Sequence, residues 1–346
     1  MKIKFRQGER GIALIIVMMV IVFLAILAGG FAYSMRVETR LAHNMALEPD
    51  LEWLGRSGVE FARWVLAQQM TIPTEPYDSL DQFWAGGSGS TNEIWAGLSL
   101  ENNKLGTGEF TVKIVDMDRK FNINAADEAV LQQAMSLMGM DVADTAGISE
   151  AILDWRDPDD EPRLNGAESR DYLGLDRPYL CKSGPIDDLS ELLLIRGITP
   201  NMYWGSMSVG SVARPLHVVR SSRFRQTEEL SYPVGFFELF TPISGRQINI
   251  NTASEMALQM IPGINENIAG LIVSKRAEFP FHNVGELINV GLPPQIAGQL
   301  SRYCGVRSTT FEVQVDAQIG LYRRRFSALV RRNSPRDVQV LNFYWQ

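Results

Sequence analysis

An uncharged apolar segment near the N-terminus constrains this chain more than any other feature of its sequence. Residues 11–35 contain no charged side chain, and a helix of these 25 residues spans about 37 Å. That length is enough to cross the ~30 Å hydrocarbon core of a bilayer. Four basic residues precede the segment, namely Lys2, Lys4, Arg6 and Arg10. The positive-inside rule therefore predicts a cytoplasmic N-terminus, with the rest of the chain across the membrane.

A cleaved secretory signal peptide is the main alternative for this segment. Signal peptides usually have an apolar region of about 7–15 residues followed by an AxA-like cleavage site. Small residues at Ala28 and Gly30 would suit such a site, but the segment is too long, so its length favours a membrane helix. Residues 36–70 continue with apolar side chains at helical spacing, and Pro49 is expected to kink the helix.

Composition and charge exclude several functions for the rest of the chain. Of the 346 residues, 45% are hydrophobic and 21% are charged, which indicates a folded protein and not a disordered one. The net charge is −7 overall and −10 over residues 11–346, and this argues against binding to nucleic acid phosphates. The sequence contains no GxSxG, GxxxxGK[ST], HExxH or CxxC pattern. We therefore expect no enzymatic activity.

Local patterns predict a sheet that is interrupted by two helical blocks. Residues 71–104 are rich in turn-forming residues and are predicted to be loop. Alternating, β-branched segments predict strands over residues 110–116, 234–240, 311–315, 321–330 and 338–345. The helical blocks lie between them, at residues 125–218 and 245–306. They open alike, with Asn-Ile-Asn at residues 122–124 and 249–251, where an Asn or Ser before an apolar run predicts a helix N-cap.

The second helical block has the pattern of a helix-hairpin-helix, with a Pro-Gly turn at residues 262–263 between two short helices. Such hairpins often bind DNA phosphates through the backbone N–H groups of a glycine-rich turn. Here Asn265 stands at the second glycine position and the acidic Glu266 follows it. A structural or protein-docking role is therefore favoured over DNA binding.

A dense cluster of charged residues follows in the first helical block. Residues 154–171 contain seven carboxylates and three arginines. Calcium takes about six to eight oxygen ligands, which such a loop supplies. The spacing is not that of an EF-hand, because Pro162 stands where a loop starting at Asp157 would need glycine. From the residues alone, a solvated acidic loop balanced by Arg156, Arg163 and Arg170 remains the alternative.

The short basic leader that ends in glycine before a long apolar helix resembles type IV prepilins and the pseudopilins of type II secretion. The resemblance implies that a prepilin peptidase cleaves between Gly11 and Ile12, with methylation of the new terminus; an uncleaved signal anchor is the alternative. Ile16 would become the fifth residue of the mature chain, where most of these proteins have glutamate. In the pilin model that glutamate neutralises the amine of the subunit above, so a subunit without it is suited to the tip.

The missing glutamate, the length of the chain and the acidic loop with Asn-Gly-Ala-Glu resemble the minor pseudopilin K family. The resemblance implies an α+β pseudopilin fold, in which a long N-terminal transmembrane helix packs on an antiparallel sheet, with inserted all-α SAM-like or helix-hairpin-helix domains. The expected domains are a leader (1–11), the membrane part of the helix (12–35), the rest of the helix with the first strands (36–124), a first SAM-like insert carrying the calcium loop (125–218), a second such unit (245–306) and the terminal strands (307–346).

The same resemblance implies a calcium cofactor and a set of binding residues. The candidate ligands are Asp157, Asp159, Asn165, Glu168 and Asp171, with Asp154 and Asp160 beside them. Cys181 and Cys304 would face an oxidising compartment, where they either form a disulfide or stay as isolated buried thiols.

The function implied is that of a minor pseudopilin at the tip of the type II secretion pseudopilus, which exports folded periplasmic proteins across the outer membrane. The implied partners are the sister minor pseudopilins I and J, then pseudopilin H and the major pseudopilin, the prepilin peptidase and the inner-membrane assembly platform. No nucleic acid is expected. The implied location is the bacterial inner membrane, with a single pass and a periplasmic body. The alternatives are a tip minor pilin of a type IV pilus and a membrane-anchored hairpin protein for DNA binding or uptake.

Overall fold

A long N-terminal helix with an antiparallel sheet forms one part of the fold, and two small helical units form the other. The structure is a computed structural model that describes residues 10–87, 93–205, 232–293 and 299–345. The α-helices are α1 (Arg10–Gln69), α2 (Glu128–Leu137), α3 (Val142–Arg156), α4 (Ser169–Leu173), α5 (Pro200–Trp204), α6 (Phe236–Leu239), α7 (Glu255–Gln259) and α8 (Glu266–Glu278). Short 3₁₀ helices cover Phe83–Ala85, Glu93–Trp95, Leu189–Leu194 and Val284–Val290.

The strands build one large sheet and two small ones. They are β1 (Asn103–Leu105), β2 (Gly108–Asp116), β3 (Phe121–Asn122), β4 (Phe240–Thr241), β5 (Ile248–Asn249), β6 (Cys304–Gly305), β7 (Thr310–Ile319), β8 (Tyr322–Ser334) and β9 (Asp337–Trp345). The large sheet is antiparallel throughout, in the order β1-β2-β7-β8-β9. The helical units are therefore inserted between its second and third strands along the chain.

The N-terminal half of α1 projects free of the folded body. Side chains from residue 13 to residue 42 are exposed, and most of them up to residue 35 are apolar. Within the described residues, α1 is the one helix that is long and apolar enough to cross a membrane. The helix continues through Pro49. Residues 1–9 of the expected leader lie outside the described residues.

The C-terminal half of α1 packs on one face of the large sheet. Leu54 and Leu66 of the helix are buried in the same core as Val315 of β7. The helix comes very close to the sheet at Gly58, where an added Cβ would lie 2.5 Å from a methyl group of Val315. Glycine permits this approach because it has no side chain. The arrangement confirms the expected α+β fold, with a long helix on an antiparallel sheet.

Most of the predicted strands are present, in β2, β7, β8 and β9. The strand predicted over residues 234–240 is wrong, because the chain forms helix α6 there and only Phe240 and Thr241 are extended. The side chains of Phe236, Leu239 and Phe240 are each at most 1% exposed. Their spacing of three and four residues follows a helix and not the alternation of a strand.

The two helical units share a single hydrophobic core. Buried residues of the first unit, such as Leu131 and Trp155, belong to the same cluster as Leu258, Ile272 and Leu287 of the second. Each unit also contributes a short parallel strand pair, β3 with β4 and β5 with β6. The units therefore stabilise each other.

The two helical units share one hydrogen-bond pattern at the second asparagine of their Asn-Ile-Asn segments. The side chain of Asn124 accepts from the N–H of Ile186 (2.8 Å) and donates to its carbonyl (2.9 Å). Asn251 makes the same pair of hydrogen bonds to Phe281, both at 2.9 Å. Neither asparagine is therefore an N-cap. Asp127 caps α2, whereas Ser254 caps α7 as the Asn-or-Ser pattern predicted.

A buried polar network joins the large sheet to the second helical unit. Asp78 forms an ion pair with Arg332, and both side chains are at most 2% exposed. Asp116 at the end of β2 accepts hydrogen bonds from the hydroxyl groups of Ser308 (2.6 Å) and Thr252. Burial, and then the charges of neighbouring carboxylates, raise the pKa of Asp116 to about 7.

Candidate metal centre

The acidic loop lies in the first helical unit at a position where the second unit has only a few residues. Arg156 at the end of α3 and Arg276 near the end of α8 each donate to the isoleucine carbonyl of an Asn-Ile-Asn segment. Three residues separate Arg276 from Pro280, whereas 28 separate Arg156 from Pro185. Pro185 directly precedes Ile186, to which Asn124 makes its two hydrogen bonds. Pro280 directly precedes Phe281, to which Asn251 makes the same two hydrogen bonds. Relative to the second unit, the acidic loop is an insertion.

Prolines and helix caps set the path of this loop. Helix α3 ends at Arg156, and its C-cap residue Asp157 has an extended backbone whose N–H still donates to the Leu153 carbonyl at 3.1 Å. Pro158 follows, and a residue before proline avoids the helical conformation. Helix α4 then begins after Glu168, whose N–H donates to a carboxylate oxygen of Asp171 at 3.2 Å. Two helix ends thus hold the two ends of the acidic loop.

Three carboxylates of the loop converge. One oxygen atom from each of Asp157, Asp159 and Glu168 lies within 4.8 Å of the others. Oxygens that bind one calcium ion at about 2.3–2.6 Å lie no more than about 5 Å apart. The three carboxylates therefore have the spacing of ligands to a single cation.

The buried oxygens of this triad lack strong donors. Glu168 is 1% exposed, and the groups that approach its oxygens are the weakly donating thiol of Cys181 and the N–H of Asp171, neither of which makes a hydrogen bond of ordinary geometry. Oδ1 of Asp157 is also buried without a partner among the described residues. Burial raises the pKa of Glu168 to about 7, and the charges of Asp154 and Asp157 add to the rise. A buried carboxylate without a donor is costly. This donor set fits a divalent cation that takes oxygen ligands.

The other four predicted ligands make protein contacts instead. Asp154 pairs with Arg163, and Asp160 accepts from the N–H of Ser169 at 3.2 Å. Asn165 donates to Glu150 from both its backbone (2.6 Å) and its side chain (3.1 Å). Asp171 caps α4 and pairs with Arg196 at 3.3 Å. The predicted ligand set thus divides into the three converging carboxylates and four residues that shape the loop.

Sequence reasoning missed two of the residues that hold the loop in place. Arg196 lies beyond the 3₁₀ helix Leu189–Leu194, and its guanidinium donates to the Asn165 carbonyl at 2.6 Å. Glu150 on α3 accepts the hydrogen bonds that the backbone and the side chain of Asn165 donate. Glu150 stands one helical turn before Asp154, and this i, i+4 spacing is the only sequence signal that could have linked it to the loop.

The predicted cleavage residues and the two cysteines are not part of the carboxylate triad. The thiol of Cys181 lies beside Glu168. Helix α1 begins at Arg10, so the backbone of Gly11 and Ile12 lies in its first turn, and Ile16 is 55% exposed. Cys181 and Cys304 are both buried and free in the described chain. Burial raises the pKa of the Cys181 thiol to about 11 and that of Cys304 to about 12. Both thiols are therefore protonated near neutral pH.

The hairpin of the second unit has the geometry of a capped helix pair. Helices α7 and α8 flank the Pro-Gly turn, and Gly263 adopts a positive φ of 94°. Asn265 caps α8 by accepting from the N–H of Ile268 at 3.0 Å, and Glu266 occupies the first turn. A carboxylate at this helix start repels phosphate.

Comparison with known proteins shows which proteins this chain resembles. The profile of "Type II secretion system (T2SS), protein K" matches residues 108–205, and that of "Helix-hairpin-helix motif" matches residues 244–304. Type II secretion system protein K of Pectobacterium carotovorum subsp. carotovorum is 23% identical, with 91% of this chain and 90% of that protein covered. The protein of the same name from Aeromonas hydrophila is 22% identical, with 97% and 96% covered. The chain is thus similar to type II secretion protein K along nearly its whole length.

The fold of this chain is also that of a solved structure. One chain in the crystal structure of the GspK–GspI–GspJ complex from enterotoxigenic Escherichia coli superimposes with a TM-score of 0.61. The match covers 88% of this chain and 99% of that chain, at 16% sequence identity. The shared fold confirms the pseudopilin architecture expected from the sequence.

Proposed function

We propose that this chain is a minor pseudopilin of a type II secretion system and acts as a structural subunit without catalytic activity. Its similarity to type II secretion protein K and its fold support this role. The free apolar half of α1 suits a subunit that is first anchored in a bilayer and then packs in a fibre. We infer a single-pass location in the bacterial inner membrane, with the N-terminus in the cytoplasm and the body in the periplasm.

We also propose that the subunit occupies the tip of the pseudopilus, and the identity of residue 16 carries this proposal. Cleavage after Gly11 would leave a charged amine on Ile12, and an unpaired charge inside a bilayer costs at least ~2.5–3.5 kcal/mol. A carboxylate on the next subunit below can neutralise this amine. Ile16 has no charge to offer an amine above it, so a further subunit above would be penalised.

Mass spectrometry of the purified chain tests the processing step. With a prepilin peptidase present, the N-terminal residue should be Ile12; without the peptidase, Met1 should remain. Gly11→Leu should block cleavage, whereas the control Gly30→Leu within the apolar helix should not. Cleavage beyond Ala32 would make the segment a signal peptide and overturn the pseudopilin proposal.

The tip position is tested by placing a carboxylate at residue 16. Ile16→Glu should not lengthen pseudopili or increase secretion, because a tip subunit has no amine above it. Ile15→Glu is the matched control, since it places the same charge at the same depth on another face of the helix. Longer pseudopili or greater secretion with Ile16→Glu than with Ile15→Glu would contradict the tip position.

We propose that the first partners are the sister minor pseudopilins I and J, followed by pseudopilin H and the major pseudopilin. The GspK–GspI–GspJ composition of the solved complex supports the first two. The prepilin peptidase and the inner-membrane assembly platform would act before incorporation. The tagged chain should co-purify with the I and J homologues in the absence of H. Co-purification with H in cells that lack I and J would contradict this order.

We propose that the acidic loop binds calcium through Asp157, Asp159 and Glu168. The support is the orphaned buried oxygens of this triad, whose mutual repulsion a divalent cation would relieve. Backbone carbonyls and water would complete the coordination. The bound ion would order the insertion and thereby stabilise the first helical unit.

Thermal melting of the full chain in detergent, with calcium or with a chelator, tests this binding. Calcium at one hundred times its dissociation constant should stabilise the wild type by about 2.7 kcal/mol. Glu168→Gln should abolish that gain without lowering the midpoint in chelator, because it removes a repelled buried charge. The control Asp176→Asn changes an exposed aspartate outside the triad and should keep the full gain. Equal midpoints with and without calcium for the wild type would contradict binding.

A further inference from the structure

Strand β8 runs along helix α1 in the same direction as the helix. Near the start of β8, Arg324 pairs with Glu48 of the helix at 3.0 Å. Near the end of β8, Arg332 donates to the Leu66 carbonyl at 3.2 Å. The strand between these two arginines spans about 26 Å, and the helix between their two partners spans about 27 Å. The start of β8 therefore lies toward the apolar N-terminal half of α1.

The turn between β7 and β8 lies at this end of the sheet, close to the apolar run of α1. Leu321 in the turn precedes Arg324 by about 10 Å of strand, which places it level with about residue 41 of the helix. Met35, the last residue of the uncharged run, is about another 10 Å along the helix. Lipid headgroups extend about 5–8 Å beyond the hydrocarbon core, and the run exceeds the core thickness by about 7 Å, so the helix can sit deeper or tilt. The turn therefore reaches the headgroups of a bilayer that α1 spans.

The side chains at the tip of this end are apolar and exposed. Leu321 is 98% exposed, and the neighbouring Tyr322 is 36% exposed. The turn between β1 and β2 lies beside them, because an added Cβ at Gly108 would lie 2.9 Å from a side-chain carbon of Ile319. Leu105, which leads into that turn, is 49% exposed. Leucine and tyrosine side chains next to a membrane helix suit the bilayer interface.

Positive charges accompany this apolar tip. Arg323 donates to the neutral side chain of Gln318 at 2.5 Å, whereas the two arginines that follow it pair with carboxylates. Arg36 and Arg40 are exposed on the segment of α1 between the apolar run and the turn, where Glu38 is the one carboxylate of residues 36–47. The net positive charge at this end of the body suits the phosphates of anionic lipids.

We propose that the β7–β8 turn rests on an anionic phospholipid surface, through Leu321 and Arg323, while α1 is anchored in the bilayer. This inference rests on the inner-membrane location proposed above. The leucine would enter the interface, and the guanidinium would bind lipid phosphates. The contact would hold the folded body at a fixed height and tilt above the bilayer until partner subunits bind. The position of the turn next to the apolar run favours lipid over an acidic protein partner.

Fluorescence quenching of the full chain in lipid nanodiscs tests the contact. A dye is attached through Thr107→Cys, in the neighbouring β1–β2 turn, which keeps Leu321 and Arg323 intact; the native thiols are buried. The control label, through Arg336→Cys, is exposed in the β8–β9 turn at the opposite end of the sheet. In discs that contain phosphatidylglycerol, quenchers on the lipid headgroups should quench the dye at residue 107 strongly and the dye at residue 336 weakly.

Substitutions made beside the label at residue 107 separate charge from general effects. Arg323→Gln should lower the ratio of docked to undocked subunits about fivefold, because one cation near an anionic surface is lost. Leu321→Ser should also lower this ratio. The matched control Arg331→Gln removes an exposed arginine near the other end of β8 and should leave the ratio unchanged. Discs of phosphatidylcholine alone, or high salt, should weaken the quenching.

Each other result overturns the proposal. Equal quenching at residues 107 and 336, equal effects of Arg323→Gln and Arg331→Gln, or equal quenching in both lipids would exclude a charge-selective lipid contact. Protection of residue 107 only after the I and J homologues are added would make the turn a protein-docking surface. A label through Phe23→Cys reports on anchoring. If quenchers in the acyl chains do not reach it, the membrane location is overturned too; if they do, only the lipid contact fails.

Discussion

Asp116 is a buried carboxylate whose surroundings oppose its charge. It accepts hydrogen bonds from the hydroxyl of Ser308 (2.6 Å) and the N–H of Asp118 (2.8 Å). Burial is the largest cause that raises the pKa of Asp116 from 3.8 to about 7, and the charge of the Asp118 carboxylate comes next. The charge of Asp78 adds to the rise, although Asp78 itself is paired with Arg332. Asp116→Asn removes the charge and keeps the shape. The hydroxyl groups can accept from the new amide, so the network survives.

The sign and size of the expected pH effect follow from the two pKa values. The native pKa lies above that of the unfolded chain, so the folded protein holds a proton that the unfolded chain has released. The stabilisation is complete below pH ~3.8 and is lost as the pH rises to about 7, at about 1.4 kcal/mol per pH unit. Between about pH 5 and about pH 7.5, the wild type should lose about 2–3 kcal/mol relative to Asp116→Asn.

Urea unfolding of the full chain in detergent measures this difference through tryptophan fluorescence. Trp84 is fully buried and its ring centroid lies 5.3 Å from that of Phe311, so it reports on the sheet core. Chelator is kept present, so that the acidic loop titrates alike in both proteins. The control Asp316→Asn alters an exposed aspartate paired with Arg325 and should retain the wild-type pH dependence. A constant difference between the wild type and Asp116→Asn over this range would refute the reasoning.

Two further substitutions test the packing. Gly58→Ala should destabilise the protein by about 1–3 kcal/mol, because its Cβ would crowd Val315. Gly30→Ala, which has no described atom within 4 Å, should leave urea unfolding unchanged, and equal effects of the two would contradict close packing. Asn251→Ala should cost about 2–4 kcal/mol, since it leaves both backbone groups of Phe281 without partners. An unchanged urea midpoint for Asn251→Ala would contradict this account.

The candidate metal centre was only partly predictable from the sequence. Density of carboxylates is a local property, so the sequence located the loop. Which of these carboxylates can converge on one cation depends on which of them already form hydrogen bonds or ion pairs with other residues. Arg196 engages Asp171 across 25 positions of the sequence, and Arg163 engages Asp154, which leaves Glu168 as a buried carboxylate without a cationic partner among the described residues. Contacts between distant residues made that selection, and spacing along the chain does not encode them.

The sequence by itself determined the features that arise from neighbouring residues. An uncharged run over residues 11–35 predicts a membrane-crossing helix, and alternation predicts the strands of the large sheet, because both patterns repeat with the geometry of one element. Only the tertiary structure decided that residues 236–239 form a helix, that the helical units share one core and that Asp116 is surrounded by other carboxylates. These features depend on burial, and burial is set by residues that come together only when the chain has folded.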